Sequence, residues 1–86
     1  MPRRSKIQII TQILEICLQS RAGKTKIVYQ TCMNFNSIVP YLSLMTRKGL
    51  LEIVPGRRQR YKITPKGKMA LVKLRAIKKQ ITEEMY

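Results

Sequence analysis

The stretch KTKIVYQTCMNFNSIVPYLSLMTRKGLLE, Lys24 to Glu52, decides the fold, because it holds two helical patterns separated by a turn and closed by a glycine. Thr25 can cap a short helix over about Lys26 to Cys32, with Ile27 and Val28 available to a core. Met33 to Phe35 makes the turn. A longer helix follows, capped by Asn36 or Ser37 and running to Lys48, where Gly49 supplies the left-handed stop. A cap at Ser37 puts Pro40 in the first turn, where its missing N–H costs little. At 100° per residue Ile38, Tyr41, Leu42 and Met45 share one side, and Asn36, Pro40, Ser43 and Arg47 face the other. Two helices in this order form a helix-turn-helix, whose second helix offers its N-terminal half to base edges in a major groove. Asn and Arg can make bidentate bonds to adenine and guanine, and Ser is less selective. Asn36, Ser37, Pro40, Ser43 and Arg47 are therefore the candidate reading residues. On periodicity alone, they equally suit the polar face of a surface helix.

Downstream, LLEIV and RYKIT read as short strands, and PGRRQ between them carries the Pro-Gly turn signal of an antiparallel hairpin. Arg57, Arg58 and Arg60 crowd that turn, and Glu52 is the only acid nearby in sequence. Placed beside a helix-turn-helix, such a hairpin becomes a wing whose guanidinium groups, with Lys62, hold phosphates or enter a minor groove. The bland alternative is a solvated charge run. Thr64 and Pro65 then form an N-cap and a first helical residue, starting a last helix that extends to the C-terminus. Along it Ala70, Leu74, Ile77 and Ile81 recur at heptad-like spacing, with Met85 extending the seam. Some 20 residues make a rod of about 30 Å, longer than closing a small domain requires. Its cations, Lys66 to Lys79, either touch nucleic acid or keep a coiled coil soluble.

Upstream, Ser5 followed by Gln8 has the form of a capping box, so a first helix is expected from there to about Ser20. Ile7, Ile10, Leu14, Cys17 and Leu18 share one side, with Ile9, Ile13 and Ile16 on the next, and only Gln8, Thr11, Gln12 and Glu15 are left for water. A helix this apolar needs cover from two directions. Ile9 and Ile16 are accordingly placed, with the seam of the last helix, in a homodimer contact. Arg3 and Arg4 form a basic arm, and Lys24 and Lys26 are loop cations positioned to meet a backbone. The expected organisation is an arm over 1–5, a winged domain over 6–65 and a dimerisation helix over 66–86.

Composition narrows the class. The 86 residues fit one domain, and 18 Lys and Arg against 4 Asp and Glu give a formal charge of +14. That excess points to a polyanionic partner. Without His, and with four scattered Glu, the chain offers almost no general acid or base, so an enzyme is not expected. Cys17 and Cys32 are too few for a zinc site and read as core residues; no metal, cofactor or small-molecule ligand is expected. The GKT of RAGKTK lacks the upstream glycine of a phosphate-binding loop. No apolar run is long enough to span a membrane, and the N-terminus is too polar for a signal peptide, so a cytoplasmic, nucleoid-associated protein is expected.

Taken together, Thr25, Ile27 and Tyr29 at the start of the second helix, Asn34-Phe35, Tyr41-Leu42, Lys48-Gly49-Leu50, and Tyr61, Ile63, Thr64 and Gly67 after the turn resemble the archaeal winged helix-turn-helix family. That family includes predicted transcriptional regulators and small basic crenarchaeal chromatin proteins with a C-terminal coiled coil. The resemblance covers nearly the whole chain. It implies a mainly α fold with a small β-hairpin (α+β), a long C-terminal helix, double-stranded DNA as ligand and homodimerisation through that helix. A sequence-preferring regulator is the leading expectation, in a cellular or a virus-infected archaeal host. A non-specific architectural chromatin protein is the first alternative and an RNA-binding module the second.

Overall fold

Ser5 starts the first helix as a capping box: its hydroxyl accepts from the Gln8 backbone N–H at 3.1 Å and its own N–H donates to the Gln8 side chain at 2.7 Å. The computed structural model describes residues 5–85, with side chains as far as Ile77. Arg3 and Arg4 lie outside the described residues. The element order is α1 (Lys6–Gln19), α2 (Lys24–Thr31), α3 (Phe35–Arg47), β1 (Leu51–Val54), β2 (Arg60–Ile63) and α4 (Pro65–Met85). The fold is mainly α with one antiparallel hairpin, paired Leu51 to Ile63, Glu52 to Lys62, Ile53 to Tyr61 and Val54 to Arg60. α4, at 21 residues, is the longest element.

One core serves all of these elements. Ile13 and Leu14 of α1, Ile27 of α2, Ile38, Leu42 and Met45 of α3, Leu51 and Ile63 of the hairpin and Leu71 of α4 are buried together. Each such side chain stabilises the fold by about 1.5–3 kcal/mol relative to exposure. Because Leu71 is buried and Ala70 and Leu74 pack at the core's edge, the first half of α4 is part of the domain's body.

α1 departs from the expected division of faces. Thr11 is buried, its hydroxyl satisfied by donating to the Ile7 carbonyl at 2.7 Å, whereas Ile7 and Leu18 at the two ends are exposed. Ile9 and Ile16 were expected at a dimer contact but belong to the chain's own core, only 7% and 8% exposed. The cover they need comes from within the chain, since α1 packs on α2, β2 and α4.

Two helix starts differ from expectation, because several residues compete for each cap. α2 begins at Lys24, two residues earlier than expected, with Gly23 in place of Thr25 as an N-cap that makes no side-chain bond. α3 is capped by Asn34, whose side chain accepts from the Ser37 N–H at 2.8 Å, and not by Asn36 or Ser37. Pro40 consequently sits at the sixth helical position, beyond the orphan donors of the first turn, and removes the bond that would reach the Asn36 carbonyl. At the other end Gly49 has a φ of 79°, and the Leu50 N–H reaches the Met45 carbonyl at 2.9 Å while the Gly49 N–H reaches Thr46, a Schellman closure.

Cys17 is buried as expected, and desolvation pushes its thiol up to about 11 despite the opposing influence of Lys26. Cys32 is not a core residue. It is exposed, in the left-handed conformation that ends α2 at φ 57°.

Candidate nucleic-acid interface

α3 turns Ile38, Leu42 and Met45 inward, and that choice fixes what it shows outside. Asn36, Ser37, Pro40, Ser43 and Arg47 are all exposed. All but Ser37 lie opposite the buried stripe at 100° per residue. With Asn34 occupied as the cap, the Asn36 and Ser37 side chains stand in the first turn of the helix, facing solvent. This surface carries hydrogen-bonding groups and a single cation, Arg47.

The hairpin presents the contrasting chemistry. Its inner face anchors through Leu51, Tyr61 and Ile63, all buried, and burial raises the Tyr61 phenol above its ordinary value, with Cys17 adding to the shift. Its turn, beyond Val54, carries Arg57 and Arg58 in the open, and Arg60, expected in the turn, is the first residue of β2, paired with Val54 and also exposed. Among the described residues the two ion pairs are Lys62 with Glu52 at 3.6 Å and Arg75 with Glu15 at 3.7 Å. Lys62, expected in the wing's grip, is thus matched to its cross-strand acid at the hairpin's base. The three wing arginines have no such partner among the described residues.

A contact not foreseen from the sequence enlarges this cationic end. Ala22 bridges to Tyr61, with the Tyr61 N–H donating to the Ala22 carbonyl at 2.7 Å and the Ala22 N–H donating back at 3.1 Å. The segment between α1 and α2 thereby acts as a one-residue third strand, and Arg21 comes to line a cleft of about 440 Å³ with Pro55, Gly56, Arg57, Arg58 and Arg60. The break in the helical pattern at Arg21 to Gly23 was visible; its pairing partner was not, since a single bridging residue has no period.

On the wing's other side a second cleft, of about 700 Å³, lies between the start of α2, the start of α3 and the hairpin turn. Lys24 and Lys26, expected as loop cations, stand in the first turn of α2, because the helix starts at Lys24, and they line this cleft together with Arg58 and Arg60, so helix cations and wing cations meet in one place. The Lys26 ammonium donates to the Ser20 hydroxyl at 2.9 Å, and the Lys24 ammonium lies 5.9 Å from the centre of the Phe35 ring.

The expected dimer seam is divided by the fold. Ala70 and Leu74 lean on the core, Ile77 is exposed, and the side chains of Ile81 and Met85 lie outside the described residues. α4 also exposes Met69 and Val72, which sequence reasoning passed over because they fall outside that seam. With Ala76 they follow a spacing of three and four, the signal that would have found them.

No helix among the described residues is long and apolar enough to cross a membrane. Residues 3–82 match the winged helix-turn-helix family model. Among solved structures, the chain is similar to Sso10a-2, a DNA-binding protein from Sulfolobus solfataricus, with a TM-score of 0.85 and 30% identity over 96% of this chain and 86% of that one. It is also similar to the transcriptional regulator BldR from the same organism, with a TM-score of 0.84 at 18% identity over 90% of this chain and 58% of that one. A MarR family transcriptional regulator, SPO1453 from Silicibacter pomeroyi DSS-3, gives 0.72 at 17% identity over 90% and 57%. These last two likenesses are of fold, and the chain spans less than two thirds of either protein. No curated protein sequence matches. The matched family model, the helix-turn-helix of α2 and α3, and the hairpin that follows agree with the resemblance drawn from Thr25 to Gly67: the chain belongs to the winged helix-turn-helix family.

Proposed function

We propose that this protein binds double-stranded DNA as a sequence-preferring transcriptional regulator, with α3 in the major groove and the wing on the backbone or minor groove. The observation that carries the reading is the meeting of cations from α2 and the wing, none of them in an ion pair among the described residues, beside the exposed start of α3. Arg57, Arg58 and Arg60, with Lys24, Lys26, Arg21 and the arm residues Arg3 and Arg4, supply phosphate neutralisation. Asn36, Ser37, Ser43 and Arg47 supply base contacts, and Pro40 shapes that surface. The DNA-binding relative at 30% identity supports the choice of ligand. The site of action is then the cytoplasm, on the nucleoid.

A homodimer fits the apolar surface of α4. Met69, Val72 and Ile77 are exposed, and Ile81 and Met85 continue the seam from Ile77. Residues 66–86 serve as the dimerisation helix although their first half also packs on the domain. Ile77→Lys combined with Ile81→Lys should give monomers in light scattering; a mass equal to the parent's would remove the contact through this seam.

An architectural role is favoured by a different observation, the charge density: +14 per chain makes 2 × 14 = +28 per dimer. Footprinting on genomic fragments separates the two readings. A few protected sites are expected for a regulator, and uniform protection would assign the protein to DNA coating.

A further inference from the structure

The cleft between α2, α3 and the wing holds more than cations. Of the chain's four Tyr and one Phe, Tyr29 and Phe35 line it, and neither belongs to the core cluster. Tyr29 is 83% exposed and Phe35 50% exposed. Phosphate neutralisation has no use for aromatic rings, and two large apolar faces left in water among four cations call for a partner with an apolar part next to its charge.

We infer that this cleft seats one sugar–phosphate strand of the bound duplex, with Tyr29 and Phe35 packing on its deoxyribose rings. The inference rests on the DNA-binding reading and adds to it a contact that salt does not screen. Along the outside of a duplex strand, between the grooves, the deoxyribose carbons are the apolar surface within reach, and each is flanked by phosphates. Lys24, Lys26, Arg58 and Arg60 stand around the rings where those phosphates would lie. A volume of about 700 Å³ is within the range of sites that take a small molecule, roughly 300–1,000 Å³, and so admits a short piece of strand. An unpaired base, the other flat partner for an aromatic ring, needs an open ring face. The Lys24 ammonium stands over one face of Phe35 at 5.9 Å, which takes that face from a base and holds the cation near the adjoining phosphate.

The test is the affinity of the full chain for a short duplex across a salt series, read by fluorescence anisotropy, with thermal melting to verify the fold of each variant. Because both rings are exposed, Tyr29→Ala with Phe35→Ala should fold normally. It should bind about tenfold more weakly at every salt concentration, the effect of losing roughly 50 Å² of apolar burial, with an unchanged log–log slope. Lys24→Ala with Lys26→Ala should instead flatten the slope by up to about 1.8. Tyr29→Phe should bind like the parent; a loss equal to that of Tyr29→Ala would make the contact a hydroxyl bond and overturn the packing. Parental affinity in the double aromatic variant, with the parent itself steeply salt-dependent, would overturn this inference and leave the DNA reading standing. A loss confined to single-stranded oligonucleotide would overturn it in favour of base stacking. A parent that binds no duplex would overturn both readings.

Discussion

At its base the β1–β2 hairpin is held from every side, and at its tip it is held by almost nothing. Thr64 donates its hydroxyl to the Gly49 carbonyl and accepts from the Gly67 N–H at 2.9 Å, while its own N–H reaches Leu50 at 3.1 Å. Gly67 is buried so tightly that a Cβ there would collide with the Leu50 carbonyl oxygen and approach Ile63. Beyond Val54 the chain exposes Pro55 to Arg60 without a buried residue among them. The difference separates two kinds of motif: Tyr61, Ile63, Thr64 and Gly67 build the fold, and Arg57, Arg58 and Arg60 are exposed with no ion-pair partner among the described residues, as the proposed grip on DNA requires. Substitutions at the tip should therefore change binding without stability, and those at the base stability before binding.

The largest effect should come from the tip. Arg57→Ala, Arg58→Ala and Arg60→Ala together should weaken duplex binding about a hundredfold or more near 0.1 M salt, since three phosphate contacts are lost. The loss should be about equal for every sequence in a competition assay, and the melting temperature should stay at the parent's value. A loss restricted to particular sequences would make the wing a reader and break the comparison.

Next is the base. Gly67→Ala should lower stability by about 2 kcal/mol in chemical denaturation, because overpacking against Leu50 outweighs the gain in helix propensity. Binding by the remaining folded protein should keep the parental salt slope.

Arg47→Ala tests whether α3 divides labour with the wing. It should narrow the gap between preferred and random duplex by about 1–2 kcal/mol, as the loss of a base contact does, and reduce affinity for random duplex only slightly. The smallest effect is expected for Lys62→Ala. Its ammonium is already matched to Glu52 at the hairpin's base, and an exposed pair of this kind contributes at most about 1 kcal/mol. Its duplex affinity should fall less than about threefold, and a loss as large as that of any single wing arginine would extend the gripping surface down the hairpin.

The parts legible in the sequence were those where one residue type answers one local need. Ser5 with Gln8, Gly49 at the αL stop, the Pro-Gly turn and Thr64 before Pro65 each did so, and each stands where expected. The cap of α3 was less legible because Asn34, Asn36 and Ser37 are all competent caps, and the choice depends on which register buries Ile38, Leu42 and Met45. The polarity of Thr11 pointed outward, whereas its hydroxyl bonds back to its own helix and the residue is buried. At the candidate interface, the cations of the wing and of α2 were legible as charge, but their convergence was not. The Ala22 to Tyr61 bridge holds Arg21 and the start of α2 beside the hairpin, and a single bridging residue leaves no periodic signal. The seam of α4 was read as one surface, although its upper residues serve two masters: Ala70 and Leu74 lean inward on the domain, and Ile77 does not.

The most direct measurement is the affinity of the parent protein for duplex DNA between 50 and 200 mM salt. Six cations at the clefts, Arg21, Lys24, Lys26, Arg57, Arg58 and Arg60, each neutralising a phosphate, should give a log–log slope of magnitude about 5 per protomer. The triple arginine variant should lose about 2.7 of it. A flat response in the parent, or a slope unchanged by removing the wing arginines, would contradict the assignment of grip to this hairpin.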